Sequence, residues 1–121
     1  MAKFVIKTTA TGVKFDLKAG NGEVIATSEV YSSLQACEKG IESVKTSCEG
    51  GIDDLTVQGG AEVKHPKFEL YEDKGGEFRF RLKARNGEVV AVSEGYTTKA
   101  GCLNGIESVK KNAPEAETVK E

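Results

Sequence analysis

Two short segments place a serine, a glutamate and a tyrosine at the same spacing: Ser28, Glu29 and Tyr31, then Ser93, Glu94 and Tyr96. A hydroxyl beside a carboxylate can serve acid–base catalysis, and a tyrosine can donate to an anion at a helix start. However, neither segment contains a histidine, and nothing in either activates the serine hydroxyl. We therefore favour a structural interpretation, in which each segment ends a strand and its tyrosine packs near the first turn of a helix.

The three cysteines, Cys37, Cys48 and Cys102, lie among apolar residues at helical spacing. A catalytic cysteine needs a stabilised thiolate and some exposure, whereas a buried helical cysteine usually acts as a small apolar residue. Cys37 and Cys48 would be about 16 Å apart along one helix, which is too far for a disulfide. We expect reduced thiols, as in a cytoplasmic protein.

Metal and phosphate sites find little support in the sequence. His65 is the only histidine, and it lacks cysteine, aspartate or glutamate at ligand spacing. The pairs Gly50-Gly51 and Gly59-Gly60 lack the Gly-Lys-Ser/Thr of a phosphate-binding loop and are typical of a linker. The sequence thus predicts no metal, no cofactor and no catalytic residue, and we expect a protein that is not an enzyme.

A mixed group of aromatic, cationic and aliphatic residues is predicted to share one sheet face: Tyr71, Arg79, Arg81, Lys83, Val90 and Val92. A basic face with an aromatic residue can bind nucleic acid. The predicted register, however, places Glu69 beside Arg81, and opposite charges across strands stabilise a sheet. We favour this structural role, while the aliphatic residues leave open that a partner, or the other half of the chain, covers the face.

Composition restricts the class of protein. The chain has 121 residues, of which 38% are hydrophobic and 30% charged, with a formal net charge of −2. A basic excess typical of phosphate binding is absent, which makes nucleic acid an unfavoured partner. No cleavable leader is recognisable, and no segment approaches the roughly 18 apolar residues that cross a bilayer. We expect a cytoplasmic protein without a membrane partner.

The chain contains an internal repeat with an offset of 65 residues. About 18 of the 29 positions from 17 to 45 are identical to those from 82 to 110, which is far more than shared composition would give. A unit of half this length would be only marginally stable alone, so the copies should share a core. The predicted division is a first repeat at 1–58, a linker at 59–66 and a second repeat at 67–121.

Periodicity predicts three antiparallel strands and then one helix in each copy. In the second copy Phe68 should face Leu82, and Leu70 should face Phe80, across a hairpin. Each helix is indicated by apolar residues on one stripe, namely Leu34, Cys37, Ile41, Val44 and Cys48 in the first copy and Cys102, Ile106, Val109 and Ala113 in the second. A short fourth strand after each helix, at 54–57 and 118–119, is left open.

Recurrent residues also predict local geometry: Asn21-Gly22 and Asn86-Gly87, Tyr31 and Tyr96, Gly40 and Gly105. Each Asn-Gly pair favours a two-residue type I′ turn, in which both residues take positive φ. Glycine inside a helix costs about 1 kcal/mol relative to alanine. We therefore expect Gly40 and Gly105 to mark a close approach of the helix to a strand or to another helix.

The segments 78–89, 93–96 and 104–110, which hold the turn, the Ser-Glu-x-Tyr motif and the second helix, resemble the YegP-like family of small bacterial and archaeal proteins of unknown function. The resemblance covers nearly the whole chain, although the first copy departs from the pattern at 34–36 and 38–39. It implies an α+β fold of one or two β-β-β-α units, and homodimers where one unit is present. It implies no established activity and no catalytic residues.

We predict an α+β fold in which two β-β-β-α units, with antiparallel sheets and one helix per repeat, are related by an approximate two-fold axis. The predicted function is that of a non-enzymatic binding or structural module, acting on another protein through a sheet edge or the outer sheet face. A nucleic-acid accessory role of the basic face is the alternative, with Arg79, Arg81 and Lys83 as its contacts. A monomer or weak homodimer is expected.

Overall fold

The computed structural model describes residues 2–57, 59 and 63–121. Its elements, in chain order, are β1 (Lys3–Thr8), β2 (Val13–Lys18), β3 (Val24–Thr27), α1 (Leu34–Ser47), β4 (Gly51–Asp54), β5 (Lys67–Glu72), β6 (Phe78–Lys83), β7 (Val89–Val92), α2 (Lys99–Asn112), a 3-10 turn (Ala113–Glu115) and β8 (Glu117–Lys120). The described fold is therefore α+β. It has two helices, and along the chain each helix is preceded by three strands and followed by one.

Alternation along the strands buries one face of the sheet beneath the helices. Phe68 faces Leu82 as predicted, and Phe4 faces Leu17 at the equivalent place in the first hairpin. All four side chains are at most 1% exposed, and they belong to one apolar cluster that includes residues of both copies and both helices. Because one core serves both copies, neither half has a separate interior.

Both helices begin at a residue whose side chain caps the first turn. The Ser33 hydroxyl accepts a hydrogen bond from Ala36 N, and the Thr98 hydroxyl accepts one from Gly101 N. Such caps satisfy an otherwise unpaired backbone donor of the first turn. The predicted apolar stripes are buried, except that Leu34 is 36% exposed because it stands at the first helical position, beyond the edge of the core.

The sheet is mixed, so the expectation of purely antiparallel sheets is wrong. Its strand order is β4-β5-β6-β7-β3-β2-β1-β8. The fourth strand of each copy runs parallel to the first strand of the other copy: β4 pairs with β5, and β8 with β1. The physical reason is that each helix returns the chain to the far end of the sheet, where a strand in the same direction can form a parallel edge pair.

The two Asn-Gly turns are not the predicted type I′ turns. Only the glycines take positive φ, 87° at Gly22 and 85° at Gly87, and no asparagine in the described chain does. Gly22 N donates to Ala19 O, and Ala19 N donates to Glu23 O, which is the pattern of a three-residue loop whose last residue is a left-handed glycine. The extra residue produces a bulge, so Lys18 rather than Ala19 faces Val24.

The same shift occurs in the second copy, where Lys83 rather than Ala84 faces Val89. The bulge changes which side chains of β7 reach each face.

In the described part of the chain, no helix is both long and apolar enough to cross a membrane.

Candidate functional site

The face of the sheet opposite the helices, called here the outer face, has a central row that crosses all eight strands. Successive pairings between neighbouring strands define this row: Asp53, Glu69, Arg81, Val92, Thr27, Asp16, Val5 and Val119. The pair Val92 and Thr27 lies at its centre, where the two copies meet. The row is continuous only because the copies pair through β3 and β7.

Glu69 is the centre of the charge network in the second half of the outer face. Its carboxylate lies 2.6 Å from Arg81 Nε, 3.2 Å from Lys83 Nζ and 3.3 Å from Lys67 Nζ. Burial alone would raise the pKa of Glu69, but the hydrogen bonds from these three cations outweigh burial and lower its pKa to about 2. Lys67 also contacts Asp53 at 2.7 Å. The site therefore holds a fixed, buried anion that orients several cations.

The predicted cations are all paired. Arg79 Nε lies 2.7 Å from Asp73 Oδ2, and the guanidinium of Arg81 lies 4.5 Å from the ring centroid of Tyr71. This stacking restrains Arg81 and covers one face of Tyr71. Tyr71 is consequently less available as a platform for nucleic-acid bases.

Asp16 plays the corresponding part in the first half of the outer face. It accepts a 2.6 Å hydrogen bond from Thr27 Oγ1 and lies 3.1 Å from Lys7 Nζ and 3.3 Å from Lys14 Nζ. Burial would raise the pKa of Asp16, but these bonds and the charge of Lys14 outweigh it and lower the pKa. The sequence alone does not predict this cluster, because the cluster depends on pairing across β1, β2 and β3. The alternating lysines of β1 and β2 are its only local signal.

A small cavity of about 140 Å³ lies where β3 meets β7. The two strands share a single paired position, Thr27 with Val92, so they diverge beyond it and leave space between them. Both residues line the cavity together with Val90. Val90 is 7% exposed and packs in the core, so it belongs to the outer face only as part of the cavity wall. The bulge in β7 explains this departure from the predicted alternation.

The Ser-Glu-x-Tyr motifs have structural roles in the described chain. Ser93 Oγ accepts a hydrogen bond of 2.9 Å from Phe80 N and donates one of 2.8 Å to Glu94 O, and Ser28 makes the equivalent bonds in the first copy. A serine hydroxyl engaged in this way lacks a base to activate it. The motif therefore fixes the end of a strand.

Each motif tyrosine lies over the helical glycine of its own copy. A Cβ atom on Gly40 would stand 2.7 Å from Tyr31 Cζ and 3.1 Å from Phe15 Cε2. At Gly105, the corresponding distances to Tyr96 Cζ and Phe80 Cε2 are 2.8 and 3.1 Å. The close approach expected at these glycines is thus made by an aromatic side chain next to the sheet.

The cysteines lack the environment of a nucleophile. Cys37, Cys48 and Cys102 are at most 1% exposed and unpaired. Burial chiefly raises the pKa of Cys102 to about 11. A thiol with these properties is poorly reactive at neutral pH. Within residues 2–57, 59 and 63–121, no group of three or more potential metal ligands comes together.

The eight-stranded mixed sheet, with one core shared by two similar halves, defines a duplicated α+β protein. The chain belongs to the family described as a domain of unknown function, DUF1508, which matches residues 9–54 and 73–119. Two matched segments in one chain agree with the internal repeat.

Relatives occur in one-copy and two-copy lengths. A UPF0339 protein of Treponema denticola is 68% identical over 54 residues, which are 45% of this chain and 93% of that protein. The UPF0339 protein PA0329 of Pseudomonas aeruginosa is 39% identical over 116 residues, covering 95% and 93% of the two chains. The solution structure of YegP from Escherichia coli, a protein of unknown function, has a TM-score of 0.80 at 31% identity, covering 99% of this chain and 92% of that one. The resemblance to YegP-like proteins is therefore confirmed.

Proposed function

We propose that the protein is a non-enzymatic binding module whose outer face binds an acidic segment of another protein, with one apolar side chain of that segment entering the cavity at Val92. The observation that carries the proposal is the position of this cavity, which lies between the cation clusters of Asp16 and Glu69. An apolar pocket surrounded by charged groups is a common arrangement in protein interfaces.

Charge supports an acidic partner. Eight cationic side chains project from the strands of the outer face, against five carboxylates: Asp16, Asp53, Glu69 and Glu117 on the strands, and Asp73, which follows β5 and pairs with Arg79. The cations are Lys3, Lys7, Lys14, Lys18, Lys67, Arg79, Arg81 and Lys83. Since each buried carboxylate has more than one cationic neighbour, the face retains positive charge that an acidic partner would complement.

The outer face is better suited to binding than the sheet edges. Both edge strands, β4 and β8, are only four residues long. They carry charged residues, including Asp53 and Asp54 in β4 and Glu117 and Lys120 in β8. Short, charged edges discourage the addition of a further strand. The outer face, in contrast, combines half-exposed Arg81 and Tyr71, two residue types that often dominate binding energy.

The test uses an acidic peptide that contains one leucine, followed by amide chemical shifts in solution at low ionic strength. We expect shifts centred on Val92, Thr27 and Arg81, and at least about ten-fold weaker binding of the matched peptide in which serine replaces leucine. A single-stranded oligonucleotide of equal charge serves as the competing ligand. Tighter binding of the oligonucleotide would support the nucleic-acid alternative, and binding of neither ligand would overturn the proposal.

A further inference from the structure

A second concave surface lies on the opposite side of the sheet, between the turn of one copy and the helix of the other. This cross-copy groove has a volume of about 240 Å³, and its polar lining residues are Asn21 and Glu23 from the β2–β3 turn and Tyr96, Asn104 and Ser108 from the second copy. It is small for a ligand pocket, so it suits a ligand no larger than a single ring.

The groove presents several hydrogen-bonding groups that are left available for a ligand. Asn21 Oδ1 accepts from Glu23 N, which leaves the Asn21 amide donors directed elsewhere. Ser108 Oγ accepts from Asn112 Nδ2 at 3.1 Å and keeps its own proton for donation. Burial, followed by nearby negative charge that includes Glu23, raises the pKa of Tyr96. The phenol is therefore a neutral donor at physiological pH.

The two copies build this groove reciprocally. The pKa of Tyr31 is raised by burial and by charges that include Glu88 of the other copy, just as Glu23 acts on Tyr96. The other copy carries the same residue types at the positions equivalent to Asn21, Glu23, Tyr96 and Ser108. These equivalents are Asn86, Glu88, Tyr31 and Ser43. The turn geometry accounts for Asn21, and the contact with Gly105 accounts for Tyr96. Neither of these structural roles accounts for Glu23.

Asn104 distinguishes the groove of Tyr96 from the equivalent region of the first copy. Its counterpart in the repeat is Lys39 of α1, and both positions are exposed. An amide offers a donor and an acceptor without charge, whereas an ammonium only donates. The groove of Tyr96 thus has neutral groups and one carboxylate, Glu23. That combination disfavours phosphate and carboxylate ligands.

We propose that the cross-copy groove at Tyr96 binds a small uncharged polyol of the monosaccharide class. A hydroxyl group both donates and accepts hydrogen bonds. The groove supplies partners of both kinds, since it contains donors and acceptors on Asn21, Asn104, Ser108 and Glu23. Val24 and Ile25 also line the groove and provide an apolar surface for the C–H face of a ring. This site is independent of the outer face and of the function proposed for it.

The proposal is tested by titrating the full-length protein with D-glucose, D-galactose and D-mannitol, and with glucose 6-phosphate as the anionic comparison, while recording backbone and side-chain amide shifts. We expect at least one neutral polyol to shift the side-chain amides of Asn21 and Asn104, and the phosphate to bind more weakly. Shifts restricted to other regions, or no shift at tens of millimolar polyol, would overturn the proposal.

Two matched variants make the assignment specific. Asn104→Lys copies the residue that the first copy already carries at this helical position, so it should fold, and it should weaken polyol binding about ten-fold or more. Lys39→Ala changes the equivalent exposed position of α1, away from the groove, and should leave the affinity unchanged. Equal affinity of Asn104→Lys and the unaltered protein would assign the binding to a different place and contradict the inference.

Discussion

Val5 of the first strand pairs with Val119 of the last strand, so the second copy supplies the strand that completes the edge of the first. At the other end of the sheet, β4 of the first copy pairs with β5 of the second. A single repeat therefore leaves unpaired both its own fourth strand and the outer side of its first strand. The two copies complete each other at the edges, at the centre and in the core.

We expect the isolated second repeat, residues 63–121, to fold only as a dimer in which each β8 pairs with the partner's β5. Alone, the repeat would expose the apolar face of β6 and β7, which α1 of the first copy packs against. Sedimentation and circular dichroism across a dilution series should show loss of structure together with dissociation. A folded monomer at low micromolar concentration would refute this expectation.

Glu69→Gln should reduce the free energy of unfolding by about 1–3 kcal/mol at pH 7, since hydrogen bonds to charged groups contribute on this scale. The pKa of Glu69 in the folded protein, about 2, lies below its ordinary value of 4.5. Its contribution is therefore fully present above pH 4.5 and is lost as the pH falls from about 4.5 to 2.

Urea unfolding at several pH values measures this effect. The decline in stability between pH 4.5 and 2 should be shallower for Glu69→Gln than for the unaltered protein. Glu72→Gln, which alters an exposed carboxylate of the same strand, should retain the full decline. Identical pH profiles for Glu69→Gln and the unaltered protein would show that the cation cluster does not stabilise the folded state.

The sequence predicts much of this network and fails at identifiable points. The pairing of Glu69 with Arg81 follows from alternation and hairpin length alone, which are local properties. Contacts between copies are not local: the row through Thr27 and Val92 depends on which strands meet at the centre. The turn glycines show a second limit, because Asn-Gly suits two loop geometries and only the bulged one moves Val90 into the core.

Gly40→Ala should destabilise the protein by about 1–3 kcal/mol through overpacking, although alanine favours a helix by about 1 kcal/mol. The added methyl group would lie too close to the ring of Tyr31. Gly101→Ala is the control, because Ala36 already occupies the equivalent position in α1. Thermal unfolding should show a clear loss for Gly40→Ala and little loss for Gly101→Ala; equal effects would mean that the tyrosine contact is not responsible.

Cys102 should resist alkylation in the folded protein. With a pKa of about 11, only about one thiol in a thousand is ionised at pH 8, and its side chain is fully buried. Iodoacetamide should modify it rapidly in urea and slowly without urea, as followed by mass spectrometry. Rapid modification under native conditions would indicate an accessible, activated thiol and would reopen the question of catalysis.

The most direct test of the outer face as a binding surface compares two charge reversals on opposite sides of the molecule. Arg79→Glu alters the outer face, and Lys111→Glu alters an exposed residue of α2 by the same charge. The affinity for the leucine-containing acidic peptide, measured by calorimetry at low ionic strength, should fall about ten-fold or more for Arg79→Glu and should remain nearly unchanged for Lys111→Glu. Equal losses for the two variants would show attraction by overall charge alone and would contradict the account.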